Sequence, residues 1–488
     1  QVYNNLLFGP MQGTGGFSVM PRSPQQSRIP DTAPRESLIA AAASDWSIEA
    51  STLDIVEGQI TDGQKSAPIA DYVAAAAQLE APAEPRLRSP EEWRLIGKDR
   101  AVKRKDTPAK INGTAQFAMD MQLDNQMVVV IAMAPRRGAV VGSVDDSGAQ
   151  GLSGFIKTAA LPDGSGVAVF AESTWQAMQA RAALNIEWDD TNAETRSSDA
   201  VREELIAAVN AAPTYETKGA HKEASAAIDG AATVLDKTFY FPLLAHAPME
   251  PLTCTIEPTA DGGAILHDGA QFPTFGHMTL SKVLELPMDK VQVNTVMAGG
   301  SFGRRANPTA DYNLQCAMAF AMTDRTRPVK LVWSREDDIR GGYYRPAFAH
   351  RVRVGLDDAG TIVGWDHRIA GQSIMKGTSM EQMSVHGGVD QSSVEGVADT
   401  PYAVPGMAVG LTDVDKATTV LWWRSVGHSH TAYVMESMMD LVAEQTDTDP
   451  IQLRLSMLPG DTPAQTRMAG VLTRVAEMTD WDAGAPEG

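Results

Sequence analysis

The sequence predicts an α+β fold with more than one domain. Its 488 residues are too many for one ordinary domain, and 43% hydrophobic residues can fill several cores. Short helix and strand patterns alternate between residues 100 and 220. Beyond residue 231 the apolar runs are mostly short and bounded by turn residues, which is typical of strands.

The first 90 residues contain a polar segment followed by two predicted helices. Residues 1–34 are rich in Gly, Pro, Ser and Gln, and Gly13, Thr14, Gly15 and Gly16 lie at their centre. Helices are predicted from residue 34 through the alanine-rich stretch 37–43 and again over 67–79, with Ser66 as N-cap. Residues 82–90, rich in Pro and Glu, are the predicted domain boundary.

Residues 100–220 predict three strands and two helices. Apolar runs indicate the strands, and periodic apolar positions with serine N-caps indicate the helices. The strands are expected at 128–132, 167–171 and 184–188, and the helices at 173–183 and 198–211.

Residues 231–488 are predicted to be rich in strands, with helices between them. Strands are expected at 233–241, 253–257, 291–296, 329–333, 352–356 and 362–369, the last two forming a hairpin. Helices are expected at 309–322 and 431–444 and after Asp449, where Pro450 takes the first helical position.

Charge and cysteine content exclude several classes of protein. The net charge of −20 argues against binding to nucleic acid or an anionic membrane surface. No apolar run reaches the roughly 20 residues of a membrane span. The two cysteines, Cys254 and Cys316, are predicted to be buried thiols. They are too few for an iron–sulfur cluster, which takes about four cysteine ligands.

The most informative segment follows the strand predicted at 291–296. It reads Gly299, Gly300, Ser301, Phe302, Gly303, Arg304 and Arg305. Glycines permit positive φ and close backbone approach, and arginines bring forked donors for phosphate. A helix that begins after such a loop presents free N–H groups to an anion. The segment therefore predicts a site for an anion or a phosphate-bearing cofactor, with a simple tight turn as an equal alternative.

Three further segments accompany this loop. The first is 244–251, which contains His246 and Glu250, and the second is Gln271, at the end of a strand. The third is Arg424, Ser425, Val426 and Gly427. Like the first loop, it places an arginine and a glycine just before a helix, as an anion site requires. Two such loops in one strand-rich region favour a long ligand that carries phosphate.

Together the four segments resemble the large, molybdenum-cofactor-binding subunit of the xanthine dehydrogenase/aldehyde oxidase family. The resemblance is greatest to the isoquinoline 1-oxidoreductase beta-subunit branch, which includes membrane-linked aldehyde dehydrogenases. It also rests on residues 104–120 and 333–346 and covers nearly the whole chain. It implies that residues 1–90 form part of a second cofactor-binding domain, 100–220 an α/β hammerhead domain, and 231–488 a first cofactor-binding domain.

The resemblance also implies roles for residues. Gln271 corresponds to the glutamine that hydrogen-bonds an oxo ligand of molybdenum, and Phe302 to a residue beside the substrate. The backbone from Gly299 to Gly303 would lie against the metal and pterin, with Arg304 as a further cofactor contact. Arg424 to Gly427 would clasp the cofactor, and Gly13 to Gly16 its dinucleotide arm. No side chain would bind the metal, which the pterin of molybdopterin cytosine dinucleotide holds.

The implied activity is oxidation of an aldehyde, or hydroxylation of an N-heteroaromatic ring, with oxygen from water and a glutamate as base. Electrons would leave to 2Fe–2S clusters in a partner subunit, with a cytochrome c subunit as a further candidate partner. The expected location is the bacterial periplasm or the periplasmic face of the membrane, with the cytoplasm as the alternative.

The sequence departs from the family pattern at several positions. Ser301 replaces a frequent glycine, and Ala306 replaces a glutamate of xanthine-type enzymes, which argues against purine substrates. The Gly-Glu-Pro-Gly-like motif of the catalytic base and the N-terminal Gly-Gln-Gly motif are both absent. Because the chain begins with Gln1 and residues 482–488 read as a linker, we expect a processed or partial polypeptide. Its companion segment would bring the base and pack against residues 1–90 and the Arg424 loop.

Two other hypotheses remain open from the sequence. One is a cofactor-carrying or assembly fragment without the base, and the other is a phosphate-loop enzyme, disfavoured because no Gly-Lys-Ser/Thr ending is present. Among single residues, a structural role is favoured for His246, and a metal site at His428 and His430 is disfavoured. Glu436 is expected to pair with an arginine.

Overall fold

A computed structural model describes residues 4–5, 9–15, 19–98, 103–415 and 417–481. The chain divides into two compact units, Gln1–Ala115 and Gln116–Gly488. No helix in these described ranges is long and apolar enough to span a membrane.

The first unit packs one long helix against a small antiparallel sheet. Ile39 and Ala42 of the helix share a core with Leu53, Ile60 and Tyr72. The sheet has the order β1-β2-β3. The elements are α1 (Val19–Trp46), β1 (Asp54–Val56), β2 (Gln59–Thr61), β3 (Ser66–Pro68), α2 (Val73–Ala76) and α3 (Thr107–Ile111).

The helix predicted over 67–79 is wrong. Ser66 pairs with Thr61 in the sheet, and Ala67 pairs with the buried Ile60. Proline disfavours helical conformation in the residue before it, so Pro68 keeps Ala67 extended. Helical structure begins only at Ile69, and α2 has four residues.

The second unit contains a seven-stranded mixed sheet of order β14-β13-β12-β15-β4-β7-β6. Side chains alternate between its faces. Val129 and Ile131 pack on one face with helices α7 and α8, whereas Val128 and Val130 pack on the other with α4. The strands are β4 (Met127–Met133), β6 (Phe155–Ala160), β7 (Gly166–Ala171), β12 (Thr253–Pro258), β13 (Ala264–Asp268), β14 (Val291–Thr295) and β15 (Val329–Val332). The helices are α4 (Thr174–Ala182), α7 (Pro273–Leu284) and α8 (Asp311–Ala321).

A five-stranded sheet of order β10-β17-β18-β21-β9 forms the other half of this unit. Methionines of α11 pack on one face, and α5 packs on the other. The strands are β9 (Tyr215–Lys218), β10 (Thr233–Phe241), β17 (Phe348–Leu356), β18 (Ile362–Gly371) and β21 (Met407–Asp413). The helices are α5 (Ser198–Asn210), α6 (His221–Asp229) and α11 (His428–Gln445).

The remaining elements are short ribbons and flanking helices. The ribbons are β5 (Val140–Asp145) with β8 (Asn185–Asp189), β11 (Leu244–Ala245) with β16 (Tyr344–Arg345), and β19 (Val385–His386) with β20 (Val389–Asp390). The helices are α9 (Arg335–Arg340), α10 (Glu381–Ser384), α12 (Pro450–Ser456) and α13 (Pro463–Thr479).

The α+β class and most predicted elements are confirmed, with ends shifted by a few residues. The Asp449 side chain caps α12, accepting hydrogen bonds from the N–H groups of Ile451 and Gln452. Cys254 and Cys316 are buried free thiols, as predicted. One feature was not predicted: β4 and β15, from regions assigned to different domains, pair in parallel within one sheet. The predicted domain boundaries near residues 90 and 220 stay predictions.

Candidate functional site

Parallel pairing of β13 and β14 brings two of the predicted site segments to one edge of the sheet. Because these strands run in the same direction, their carboxyl ends lie side by side. Gln271 follows β13, and the glycine-rich loop at 299–303 follows β14. The N–H of Val296 donates to the carbonyl of Asp268 at 3.0 Å and extends the pairing towards both segments.

The glycine-rich loop uses backbone conformations that glycine permits. Gly300 and Gly303 have φ of +112° and +104°. A Cβ on Gly303 would lie 2.5 Å from the carbonyl oxygen of Trp422, so only glycine fits this approach. Phe302 also has positive φ, +55°, and its side chain is 39% exposed. The loop therefore presents an aromatic ring outward while its backbone packs inward.

Ser301, the departure from the family pattern, connects the loop to Gln271. Its hydroxyl donates to Gln271 Oε1 at 2.7 Å and accepts from the N–H of Arg305 at 3.1 Å. The N–H of Gln271 in turn donates to the carbonyl of Arg305 at 3.1 Å. Since Oε1 accepts from Ser301, the donor end of the amide is Nε2.

Glu250 lies in the predicted site segment 244–251, but the sequence assigned no role to it. Its side chain is 8% exposed, and Oε2 accepts from the N–H of Gly299 and from Arg305 Nη2, both at 2.8 Å. Oε1 accepts from the N–H of Met119 at 2.7 Å. The signal was an acidic residue between Met249 and Pro251 in an otherwise apolar motif.

Arg304 is buried rather than open to a phosphate. Its side chain is 1% exposed and forms two bonds to the Asp311 carboxylate. The guanidinium also lies 5.4 Å from the ring centroids of Trp333 and Tyr343. This arrangement favours a role in holding the loop, and the predicted cofactor contact of Arg304 stays a prediction.

His246 connects the segment 244–251 to the Arg424 loop. Its ring nitrogens lie 3.1 and 3.0 Å from the carbonyl oxygens of Tyr343 and Trp422. Burial lowers its pKa to about 4, so the ring is neutral at pH 7. These contacts favour the structural role.

The Arg424 loop closes the site from the other side. The N–H of Arg424 donates to the carbonyl of Phe302 at 2.7 Å. Ser425 and Val426 have φ of +76° and +48°, which is strained for a β-branched residue such as the valine. The guanidinium of Arg424 is exposed and has no partner within the described ranges. Gly427 N–H donates to Glu395 Oε1 at 2.6 Å.

Four buried polar atoms in or next to these segments lack hydrogen-bond partners among the described residues. They are Arg304 Nε, Arg305 Nη1, Trp423 Nε1 and Ser429 Oγ. Leaving such a group unpaired costs about 1–3 kcal/mol. The two arginines are already held by ion pairs, whereas Trp423 Nε1 and Ser429 Oγ can donate to a ligand rich in acceptor atoms.

Other predicted residues lie apart from this arrangement or outside the described ranges. Glu436 pairs with Arg454 at 2.7 Å, so the expected arginine partner is present. His430 bonds to His350 at 2.9 Å, and the described residues contain no cluster of metal-binding side chains. Gly13, Thr14 and Gly15 belong to the first unit, where Asn5 Nδ2 donates to the carbonyl of Gly13 at 2.9 Å. Gly16 lies outside the described residues.

Asp268 places a fully buried carboxyl group shortly before Gln271. It accepts bonds from Tyr312 and Asn313, at 2.9 and 3.0 Å. Burial raises its pKa to about 6, although Arg305 and the two hydrogen bonds act in the opposite direction.

Comparisons with known proteins identify the family of this chain. Residues 207–458 match the family model described as a molybdopterin cofactor-binding domain. Isoquinoline 1-oxidoreductase subunit beta of Brevundimonas diminuta is 29% identical over 85% of this chain and 53% of that protein. Membrane-bound aldehyde dehydrogenase (pyrroloquinoline-quinone) of Gluconacetobacter polyoxogenes is 30% identical over 81% of this chain and 53% of that protein. The chain thus spans about half the length of these relatives.

Solved structures show the same fold. Quinoline 2-oxidoreductase from Pseudomonas putida 86 superposes with a TM-score of 0.62 at 18% identity, covering 78% of this chain and 54% of that one. Aldehyde oxidoreductase from Desulfovibrio gigas gives 0.56 at 19% identity, covering 74% and 43%. The molybdenum hydroxylase large-subunit fold that the resemblance implied is confirmed.

We predict that the Asp268 carboxyl makes stability depend on pH. Because its pKa is raised in the folded state, the folded protein binds the proton more tightly, and the free energy of unfolding falls as pH rises from about 4 to 6. The fall amounts to about 3 kcal/mol. Asp268→Asn should remove it, measured by denaturant unfolding across this range. Asp261→Asn is the control, because the pKa of Asp261 lies near 2 and outside the window. Parallel profiles for wild type and Asp268→Asn would contradict the assignment.

We predict that Gly303→Ala destabilises the protein more than a glycine replacement elsewhere with similar φ. Gly262 has φ of +80° and no atom within 4 Å of the position that a Cβ would take, so Gly262→Ala reports the cost of positive φ alone, about 1–2 kcal/mol. Gly303→Ala adds the collision with Trp422 and should cost at least ~2 kcal/mol more. Thermal and denaturant unfolding of the two variants measure the difference, and equal values would show that the loop does not pack on Trp422.

Proposed function

This chain belongs to the xanthine dehydrogenase/aldehyde oxidase family of molybdopterin-binding proteins, and we propose that it is the cofactor-holding part of a molybdenum-dependent oxidoreductase. The observation that carries the proposal is the direct hydrogen bonding among Gln271, the glycine-rich loop and the Arg424 loop. These segments are far apart in the sequence, and each supplies a feature that a pterin carrying phosphate requires.

The donors of the site fit this cofactor. Trp423 Nε1 and Ser429 Oγ are buried polar atoms without partners among the described residues, and Arg424 offers a free guanidinium. Phosphates and pterins carry many acceptor atoms, which such donors bind. We assign cofactor binding to Gly299–Gly303, Arg424, Ser425, Val426 and Gly427, and to Gly13, Thr14, Gly15 and Gly16 on a dinucleotide arm.

When bound, the cofactor supplies two-electron oxidation and the transfer of an oxygen atom derived from water. The residues of this chain orient the reactants and stabilise charge. Gln271 Nε2 would donate towards an oxygen ligand of the metal, while its Oε1 accepts from Ser301. Phe302 would present its exposed ring to the substrate and exclude water from that side. The base glutamate motif is absent from the 488 residues, so the proposal assigns no base to them.

The proposed substrate is an aldehyde or an N-heteroaromatic ring. Relatives named as an aldehyde dehydrogenase and an isoquinoline oxidoreductase subunit support this pair. The exposed apolar ring of Phe302 suits either, and Ala306 lacks the carboxylate of xanthine-type enzymes. We further propose the cytosine dinucleotide form of the cofactor and a location in the bacterial periplasm.

Electrons would leave to a partner subunit. With two cysteines, both buried, the chain cannot hold an iron–sulfur cluster. We therefore propose an iron–sulfur subunit as the partner, with a cytochrome c subunit as a further one. A non-catalytic, cofactor-carrying role is the second candidate.

We predict that the native complex contains about one molybdenum atom and one pterin dinucleotide per copy of this chain. Elemental analysis and extraction of the pterin from a complex made in cells with an intact cofactor pathway measure both. Pyrroloquinoline quinone in place of molybdenum, or neither group, would contradict the proposed function. Molybdenum without turnover on aldehydes or N-heterocycles would favour the second candidate.

We predict that Arg424→Ala lowers molybdenum occupancy while leaving the fold intact. A charged donor to a phosphate or pterin contributes about 1.5–3 kcal/mol to binding, whereas an exposed arginine without an ion pair contributes little to stability. Arg467→Ala is the matched control, since Arg467 is also exposed, on α13. The metal content and the melting temperature are measured for both variants. Full molybdenum content in Arg424→Ala would refute the assignment of this loop.

A further inference from the structure

We infer that Glu250 and Arg305 form a buried clamp that sets the conformation of the glycine-rich loop for cofactor binding. The inference rests on the proposed function and adds two positioning residues to the site. Neither side chain needs to touch the cofactor for this role. They act on the backbone groups of Gly299 and Gly300, which lie between the strand end and Phe302.

Glu250 forms hydrogen bonds with both the N–H and the carbonyl of Gly299. The N–H of Glu250 donates to the carbonyl of Gly299 at 3.1 Å, and the N–H of Gly299 donates to Glu250 Oε2 at 2.8 Å. A Cβ on Gly299 would lie 2.5 Å from Glu250 Cβ, so the two residues touch only because one is glycine. The backbone of Gly299 is therefore fixed by two opposed hydrogen bonds.

Arg305 extends the clamp to the rest of the loop. Its Nε donates to the carbonyl of Gly300 at 2.9 Å, and Nη2 donates to the backbone carbonyl and Oε2 of Glu250 at 3.1 and 2.8 Å. Its backbone carbonyl accepts from the N–H of Gln271, and its N–H donates to the hydroxyl of Ser301. The Arg305 side chain thus connects the end of the loop back to Gly300.

The clamp is anchored to the seven-stranded sheet. Glu250 Oε1 accepts from the N–H of Met119, and the carbonyl of Met119 accepts a bond from Lys330 Nζ. Lys330 belongs to β15, a central strand. A rigid element therefore supports the loop, which is the condition for holding a site within a fraction of an ångström.

Burial makes the clamp sensitive to the loss of one partner. The side chains of Arg305 and Glu250 are 0% and 8% exposed. A buried charge left without its partner is strongly destabilising, whereas replacing both charges by neutral groups is often tolerated. If the ion pair is only structural, removing both charges together should restore both stability and cofactor occupancy. If it is a positioning clamp, stability should be restored and occupancy should not.

The test compares three variants in the whole complex, expressed with the cofactor pathway. Glu250→Gln removes one charge, Glu250→Gln/Arg305→Met removes both, and Glu436→Gln removes the acid of the ion pair with Arg454 on α11 and α12. Melting temperature, molybdenum per chain and pterin content are measured for each, and kcat and KM where the complex turns over.

We expect the double variant to melt close to the wild type yet to hold at least about tenfold less molybdenum, since it lacks the charge-assisted bonds to Gly299 and Gly300. Glu436→Gln should keep full occupancy. Recovery of both stability and occupancy in the double variant would overturn the inference and leave a structural ion pair. If Glu250→Gln fails to fold, the double variant alone decides. A wild-type complex without molybdenum would instead refute the proposed function, so the two failures are distinguishable.

Discussion

The site depends on one buried arginine whose donors are directed at backbone carbonyls. Arg305 bonds to the carbonyls of Gly300 and Glu250 and to the Glu250 carboxylate, while its own peptide contacts Gln271 and Ser301. A guanidinium has five N–H donors in a fixed plane, so it can connect several chain segments that a lysine could not. Without it, the loop would contain carbonyl groups turned away from water and unpaired. The parallel strands β13 and β14 bring the segments to one edge, and Arg305 determines how they meet.

Backbone strain concentrates where these segments converge. Among the described residues twelve other than glycine have positive φ, and four of them, Ala247, Phe302, Ser425 and Val426, lie in the site segments. Each such residue costs on the order of 1–3 kcal/mol, which the surrounding contacts must offset. The contacts are present: the neutral His246 ring, next to Ala247, donates to one of the two carbonyls beside it, and the Phe302 carbonyl accepts from the N–H of Arg424. Strain of this kind persists only where the surrounding contacts determine the conformation, and it fits a loop shaped for a ligand.

The sequence predicted most of the elements well, because they depend on local patterns. Short apolar runs predicted β10, β12 and β14, and glycine and arginine spacing predicted both loops. What could not be predicted was long-range pairing. Arg304 and Arg305 are adjacent and chemically identical, yet one pairs with Asp311 and the other with Glu250, and only three-dimensional packing distinguishes them. The helix predicted over 67–79 failed for the same reason, since pairing of Ala67 with Ile60 overrides helix propensity.

Ser301 shows how a departure from a family pattern can serve the same chemistry. A glycine at this position would leave Gln271 Oε1 without its 2.7 Å bond from the Ser301 hydroxyl. With the serine, the hydroxyl donates to Oε1 and its oxygen accepts from Arg305, so the Nε2 end is directed towards the proposed metal ligand. Fixing a donor before the reaction avoids the free energy of reorienting it while charge develops. The substitution therefore couples the glutamine to the same buried arginine that shapes the loop, and the site forms as one hydrogen-bonded unit.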